Sequence, residues 1–336
     1  MVQGQWVAVK GKKVNIFKYL FERDKKPRKG LLAVEWVIMG YLLLTLLLIL
    51  FTYTKVQNPE PMLWGRFRIV MMTLALWFVY RLLPCRFTIF CRVVAQMGLL
   101  SWWYPDTYEL NRIFPCYDHL FAAYDQKLFG FQPALLFSQT FSHPIFSELM
   151  HFGYTSYFPL IALVTLYYFL CRYSEFERAT FIILTAFFAY YVIFIFLPVA
   201  GPQFYYPAVG MDQIAQGIFP DLGHYFADHQ EMITLPGWSD GFFYHMVENA
   251  HDAGERPTAA FPSSHVGVTT ILMFLAWKAR CRWLFWVMVP VFVLLCLSTV
   301  YIFAHYAVDV FAGWVSAVVI YVVLHFLGGK ICEFRK

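Results

Sequence analysis

The feature that most constrains this chain is a succession of long apolar runs. Eight stretches stand out, at roughly 31–53, 66–84, 86–104, 150–170, 179–199, 264–279, 283–303 and 305–327. Each is close to the length of about 20 residues that a helix needs to cross hydrocarbon. Composition leaves no other way to cover them. Charged residues make up 14% of the chain and hydrophobic residues 60%, whereas a soluble domain carries about 25% charge. A water-soluble globule and a disordered chain are both excluded for most of the length. The expected fold class is all-α: a polytopic membrane helix bundle of about eight transmembrane helices. A basic cytoplasmic tail, 1–30, precedes a single membrane-embedded domain, 31–336.

The placement of charge orients the bundle. With the N-terminus cytoplasmic and all eight runs spanning, only Lys55, Arg66, Arg68, Arg112, Lys127 and Arg256 of the 26 lysines and arginines fall outside. The rest cluster in the tail, around Pro84 to Arg92, in 171–178, in 278–282 and after 328, as the positive-inside rule requires. Most acidic residues fall on the opposite side. Both termini are therefore expected in the cytoplasm. The tail lacks an apolar core and a cleavage pattern, so it is not a signal peptide. Glu35, inside the first run, reads as interfacial, with Arg28 or Lys29 nearby. The seven cysteines contain no CxxC pair, and no structural disulfide is expected.

Chemistry-bearing residues concentrate at two run boundaries. Phe261-Pro262-Ser263-Ser264-His265 leads straight into an apolar helix. Pro and Ser start helices, and the free amides and dipole of a first turn attract anions. A second cluster holds His305 and Asp309. Their spacing of four predicts one helical face, with Asp309 accepting the proton of one ring nitrogen and leaving the other as a nucleophile. The topology brings His265 and His305 to one membrane face. Two outer loops, 105–149 and 200–261, are too long for turns; they predict amphipathic pieces along the interface and a headgroup-sized pocket. Within them His224, His229, His245 and His251 accompany many acids. No zinc or calcium spacing is present, so the expectation is a solvated acidic surface, with a few carboxylates available to polyol hydroxyls. No metal and no cofactor are expected.

These residues resemble the type-2 phosphatidic acid phosphatase superfamily, whose motifs read K-x6-R-P, P-S-G-H and S-R-x5-H-x3-D. Here the second reads Pro262-Ser263-Ser264-His265, and the third Ser298-Thr299, five residues, His305, three residues, Asp309. The first survives as Arg256-Pro257, with Asn249 at its Lys position and Thr299 at the Arg position of the third. Two phosphate-gripping cations are thus absent, which suits a phosphodiester with its single negative charge. The pattern is similar to the inositol phosphorylceramide synthases of fungi and their bacterial relatives. Asp125-Gln126-Lys127-Leu128-Phe129-Gly130 with Pro133, the Tyr-rich stretch from Gly153 to Pro159, and Gly201-Pro202-Gln203 extend the likeness.

The resemblance implies a six-helix catalytic core and a phosphohistidine route. His305 is the implied nucleophile, Asp309 its orienting carboxylate and His265 the acid and base. Arg256, Ser263, Ser264, Gln203 and His151 are the implied substrate-binding residues. The implied reaction moves a phospho-headgroup, inositol phosphate by resemblance, from a glycerophospholipid donor to a ceramide acceptor and releases diacylglycerol. The partners are then two lipids and the bilayer, with no nucleic acid. The site lies on the extracytoplasmic side of what is expected to be a bacterial inner membrane. Two alternatives stay open. A lipid phosphatase acting on phosphatidic acid or a polyprenyl pyrophosphate shares the nucleophile but calls for the full cation set. A transporter calls for polar residues through the middle of several spans.

Overall fold

The computed structural model describes residues 6–9 and 12–333. The basic residues Lys10, Arg335 and Lys336 lie outside the described residues. The chain opens on a hairpin of β1, Trp6–Val9, and β2, Lys12–Asn15, paired antiparallel from Trp6↔Asn15 to Val9↔Lys12. Among the described residues, all remaining regular structure is helical. The helices are α1 Ile16–Phe21, α2 Ala33–Phe51, α3 Pro59–Leu82, α4 Arg86–Gly98, α5 Leu100–Asn111, α6 Asp118–Phe129, α7 Pro133–Thr140 and α8 Pro144–Thr155. They continue with α9 Tyr157–Cys171, α10 Tyr173–Phe196, α11 Pro202–Val209, α12 Met211–Ala215, α13 Phe242–Gly254, α14 Ser264–Lys278, α15 Arg282–Tyr301 and α16 Ala307–Glu333.

Among the described residues five helices are long and apolar enough to cross a membrane: α2, α3, α10, α15 and α16 through Gly329. The chain is a multi-pass membrane protein. The expected run at 150–170 is not one straight helix. It divides into α8 and α9, bent by 47°. Pro159 supplies the reason, since it has no N–H to give the Thr155 carbonyl and its ring crowds that position. Counted as one broken span, the pair brings the number to six. The run at 86–104 likewise breaks at Leu99, after Gly98, into α4 of 13 residues and α5 of 12. α14 has 15 residues, a length of about 22 Å against a hydrocarbon core of about 30 Å.

The described residues form two compact units. One comprises Met1–Trp103, Leu163–Thr185 and Leu324–Lys336. Its interior corrects the reading of Glu35. That carboxylate is fully buried and takes a two-pronged ion pair from Arg92 of α4, with Nε to Oε1 at 2.8 Å and Nη2 to Oε2 at 2.5 Å. The same Oε2 accepts the Leu32 amide at 2.8 Å. Arg28, expected to serve Glu35, pairs with Glu177 instead. Gln96, one turn beyond Arg92, donates to Thr73 of α3 at 2.9 Å. The polar residues of α4 thus find partners inside the unit, which is how a helix can bury them.

The other unit comprises Tyr104–Ala162 and Ala186–Val323. There α15 packs against α7, α8 and α14, while α13 packs on α8. Met150, Val247, Tyr301, Ile302 and Ala304 form a buried cluster, bordered by Phe137, Phe146 and Tyr154. The expected outer loops contain α6, α7, α11, α12 and α13, so they are built largely of short helices. His224, His229 and His245 are exposed as expected, but His251 on α13 is buried.

Candidate active site

The site forms where α14 begins, α15 ends and α16 begins. Ser263 caps α14, its Oγ accepting the Val266 amide at 3.4 Å. His265 follows as the second helical residue, in the turn where backbone amides lack helical partners. Ser264 precedes it at the first position, and its carbonyl accepts the Tyr157 hydroxyl at 3.4 Å. After α15 the chain turns sharply. Phe303 takes a left-handed φ of 67°, and the His305 amide folds back on the Thr299 carbonyl at 3.0 Å. Ala259, beside Ala260, also has a positive φ, 69°. Two non-glycine residues in this sparsely populated region flank the groups that meet at His305.

His305 is therefore in a turn, not in a helix, and α16 starts only at Ala307. This overturns the expected shared helical face of His305 and Asp309. The His305 Nδ1 sits 2.7 Å from the Ala260 carbonyl and 3.6 Å from Asp309 Oδ2. A carbonyl can only accept, so Nδ1 carries the proton and Nε2 presents its lone pair. Burial pushes the His305 imidazole down to about 4, against the opposing pull of Ala260, so the neutral form prevails at pH 7. Its Nε2 lies 3.5 Å from His265 Nδ1. With Nε2 an acceptor, the His265 nitrogen is the donor. One unprotonated nitrogen thus faces one N–H, the pairing that nucleophilic attack with proton delivery requires.

Asp309 has a different task from the one its spacing suggested. It is the third residue of α16, and its Oδ2 accepts the Tyr306 amide at 2.8 Å, half of a capping box. Its Oδ1 is buried without a hydrogen-bond partner. The Asp309 carbonyl also accepts the Ser263 amide at 3.1 Å, tying the start of α16 to the start of α14. Gly313, one turn on, permits the approach; a Cβ there would meet the Ser263 carbonyl at 2.8 Å.

Two carboxylates of α6 complete the scaffold, and their roles escaped the sequence reading. Asp125 accepts the Ala307 and Val308 amides at 2.8 and 2.9 Å, capping α16 from another helix. Asp118, two turns earlier on the same face, accepts the Ala200 and Gly201 amides at 2.8 Å each and the Tyr306 hydroxyl at 3.1 Å. Burial raises both carboxyls to about 6 despite these donors. Gly201 is needed here, with a φ of 94° and a virtual Cβ only 2.7 Å from the Ala304 carbonyl. The Asp125 motif and the Gly201-Pro202 string were the available signals, but a sequence does not say which amides they hold. Aromatic walls were signalled by the Tyr-rich stretch. Tyr154 stacks on His265 at 4.7 Å and Tyr157 lies against it at 4.4 Å.

Of the remaining expected residues, Gln203 reaches the site through its backbone, its amide donating to the Phe303 carbonyl at 2.8 Å. The Arg256 guanidinium donates to the Glu255 carbonyl at 2.9 Å and makes no hydrogen bond to the histidine pair. His151 is buried on α8, its Nδ1 2.8 Å from the Ser147 carbonyl, and belongs to the packing around Tyr301. Thr299, in place of an arginine, spends its hydroxyl on the Cys296 carbonyl at 2.9 Å. Asn249 is exposed on α13. Among the described residues no group of His, Cys, Asp and Glu is arranged to hold a metal ion.

No curated protein and no solved structure matches the chain. A family model described as the PAP2 superfamily matches residues 119–323, a segment that holds both histidines, Asp125 and Asp309. That match covers more than half of the sequence, and the chain belongs to the PAP2 superfamily.

Proposed function

We propose that this protein is a lipid phosphotransferase that moves a phospho-headgroup from a glycerophospholipid to ceramide. Membership of the superfamily implies an enzyme acting on lipid phosphate esters. The observation that supports a phosphohistidine route is the pairing of His305 Nε2 with His265 Nδ1 at 3.5 Å, with the other His305 nitrogen committed to Ala260; the finer reading, transfer to ceramide, rests on the missing cations and the resemblance.

In the first half-reaction His265 enters as the imidazolium, its charge offset by the bound anionic phosphodiester; His305 Nε2 attacks phosphorus, the bond from phosphorus to the diacylglycerol oxygen breaks, and His265 gives that oxygen one proton and becomes neutral. The incoming phosphoryl group takes the place of the contact between the two rings. In the second half-reaction His265 removes the proton of the ceramide hydroxyl, whose oxygen attacks phosphorus and releases His305. Asp309 offsets the positive charge that the phosphorylated ring acquires. The amides of Ser264 and His265, with Arg256, hold the phosphoryl oxygens. Tyr154 and Tyr157 restrict water around His265, as a transferase requires.

Loss of cations at Asn249 and Thr299 supports a diester substrate over a monoester dianion. Inositol phosphate is favoured as the headgroup by resemblance. The charge distribution supports cytoplasmic termini and an extracytoplasmic site, with a bacterial inner membrane as the setting. The test is an assay of the detergent-purified protein with labelled ceramide and a panel of phospholipids. A new phosphosphingolipid with stoichiometric diacylglycerol is the expected result. Inorganic phosphate from phosphatidic acid, with no labelled lipid product, would establish the phosphatase instead.

A further inference from the structure

A cavity of about 810 Å³ opens in the unit that holds the N-terminal segment, and it shares no residue with the histidine site. Its volume is that of a pocket able to take a whole small molecule. One wall is the irregular segment between α1 and α2, through residues 24 and 26–32. Facing it are Trp36 of α2, Tyr80 near the end of α3 and the first turn of α10 with Ser174 and Glu177. The segment has almost no regular structure, yet it is pinned to the helices. Its Arg28 amide donates to the Tyr80 hydroxyl at 3.1 Å, and that hydroxyl donates to Asp24 Oδ2 at 3.1 Å. The Trp77 indole N–H donates to the Lys29 carbonyl at 3.1 Å. The cavity wall is therefore built, not a loose strand of chain.

The charges on that wall select the sign of the occupant. Three cations, Lys26, Arg28 and Lys29, stand against two carboxylates, Asp24 and Glu177. Arg28 and Glu177 neutralise each other in an ion pair at 2.5 Å, and Asp24 is held by Tyr80. Lys26 and Lys29 remain, exposed and without a partner among the described residues. Two ammonium groups over one cavity suit an anion, and a phosphate ester most of all. The other end of the cavity selects what the phosphate is attached to. Trp36, in the first turn of the spanning helix α2, is 53% exposed. Leu43, Leu47 and Leu50 continue its exposed stripe along the same helix at steps of seven, four and three residues. The lysines thus lie at one end of an apolar track that enters the membrane. A soluble phosphate ester has no use for that track, whereas a lipid needs both parts.

We propose that this cavity binds the phosphate-bearing headgroup of an anionic phospholipid in the leaflet where α2 begins, with Lys26 and Lys29 as its cations and the Trp36 stripe as the path of an acyl chain. The site is separate from the proposed transfer chemistry and does not rest on it. The full-length protein in detergent would be titrated with phosphatidylglycerol or phosphatidylcholine, with and without free glycerol 3-phosphate, and the bound lipid counted by native mass spectrometry. The expected result is one phosphatidylglycerol retained about tenfold or more tighter than phosphatidylcholine, the scale set by two lysines near an anionic headgroup. The double variant Lys26→Gln/Lys29→Gln should lose that preference. Ser174→Trp, which fills the cavity without altering its charge, should lose the same molecule. Lys25→Gln, an exposed neighbour that does not line the cavity, should keep it. These three changes fall on exposed side chains, and equal thermal unfolding of all four proteins in lipid-free detergent is expected. Equal retention of the two lipids by the wild type overturns the site. An equal loss in Lys25→Gln overturns it in favour of diffuse attraction to the basic segment. Preference that survives in both cavity variants places the lipid elsewhere and overturns it as well. Displacement of phosphatidylglycerol by an equal concentration of glycerol 3-phosphate overturns the lipid assignment in favour of a soluble phosphate ester. Failure of the ceramide transfer assay would leave each of these results unchanged.

Discussion

The Nδ1 proton of His305 goes to the carbonyl of Ala260, 2.7 Å away, while the Asp309 carboxylate stands 3.6 Å off and serves a backbone amide. The tautomer of His305, the proposed nucleophile, is thus set by main chain rather than by the acidic side chain. Replacing Asp309 by Asn should therefore keep the ring proton on Nδ1, which ¹⁵N shifts of the His305 ring would report. Turnover should still fall by about 10²-fold, since the charge beside the phosphorylated ring is lost. A switch of tautomer in Asp309→Asn would show that the carboxylate, not Ala260, orients the ring.

The two histidines should separate kinetically. His305→Ala removes the nucleophile and should lower turnover by at least about 10³-fold, with no covalent labelling by a headgroup-labelled donor. His265→Ala removes the proton carrier and should cost about 10²- to 10⁴-fold. With a donor whose leaving group needs no proton, such as a nitrophenyl phosphodiester, His265→Ala should still be labelled on His305. Labelling that survives in His305→Ala would exclude this nucleophile.

Asp125 holds two amides at the start of α16 from a distance of 182 residues in the chain. Asp125→Ala leaves both without an acceptor and should destabilise the protein by about 1–3 kcal/mol. Thermal unfolding in detergent and the rate of transfer should fall together, because the same turn carries His305. Unchanged unfolding with normal turnover would show that this cap is dispensable.

Burial holds Asp118 and Asp125 at about 6, above the value near 4 of an unfolded chain. Between those values the folded protein keeps protons that the unfolded chain has released. The stability linked to these groups is thus complete below about pH 4 and is lost as pH rises through about 6. Thermal stability measured from about pH 4.5 to pH 7 should decline more steeply in the wild type than in Asp118→Asn. Parallel slopes would mean that Asp118 ionises in the fold as it does in water.

Much of the architecture was legible because hydropathy is a sum over many residues. The first run and the last two became α2, α15 and α16 close to their expected bounds, and the two histidines could be assigned to one end because each abuts an apolar run. The breaks at Leu99 and Ser156 were not seen, since one proline or glycine barely changes a window average, yet a proline removes a helical hydrogen bond and a glycine loosens the backbone. Glu35 illustrates the same limit. Its burial was expensive on paper, and only the packing of α2 against α4 supplied Arg92.

Sequence by itself determined that the chain enters a membrane and that it is helical, and it singled out His265, His305 and Asp309 as the candidate site. Those properties follow from side-chain type and local spacing. Tertiary structure alone decided that His305 leaves the helix, that Ala260 takes its proton, that Asp118 and Asp125 hold the surrounding amides, and that His251 is buried. Every residue carries a carbonyl and nearly every one an amide, so no pattern of side chains announces which of them will meet. Only the folded backbone, closing turns far apart in the chain, makes that choice.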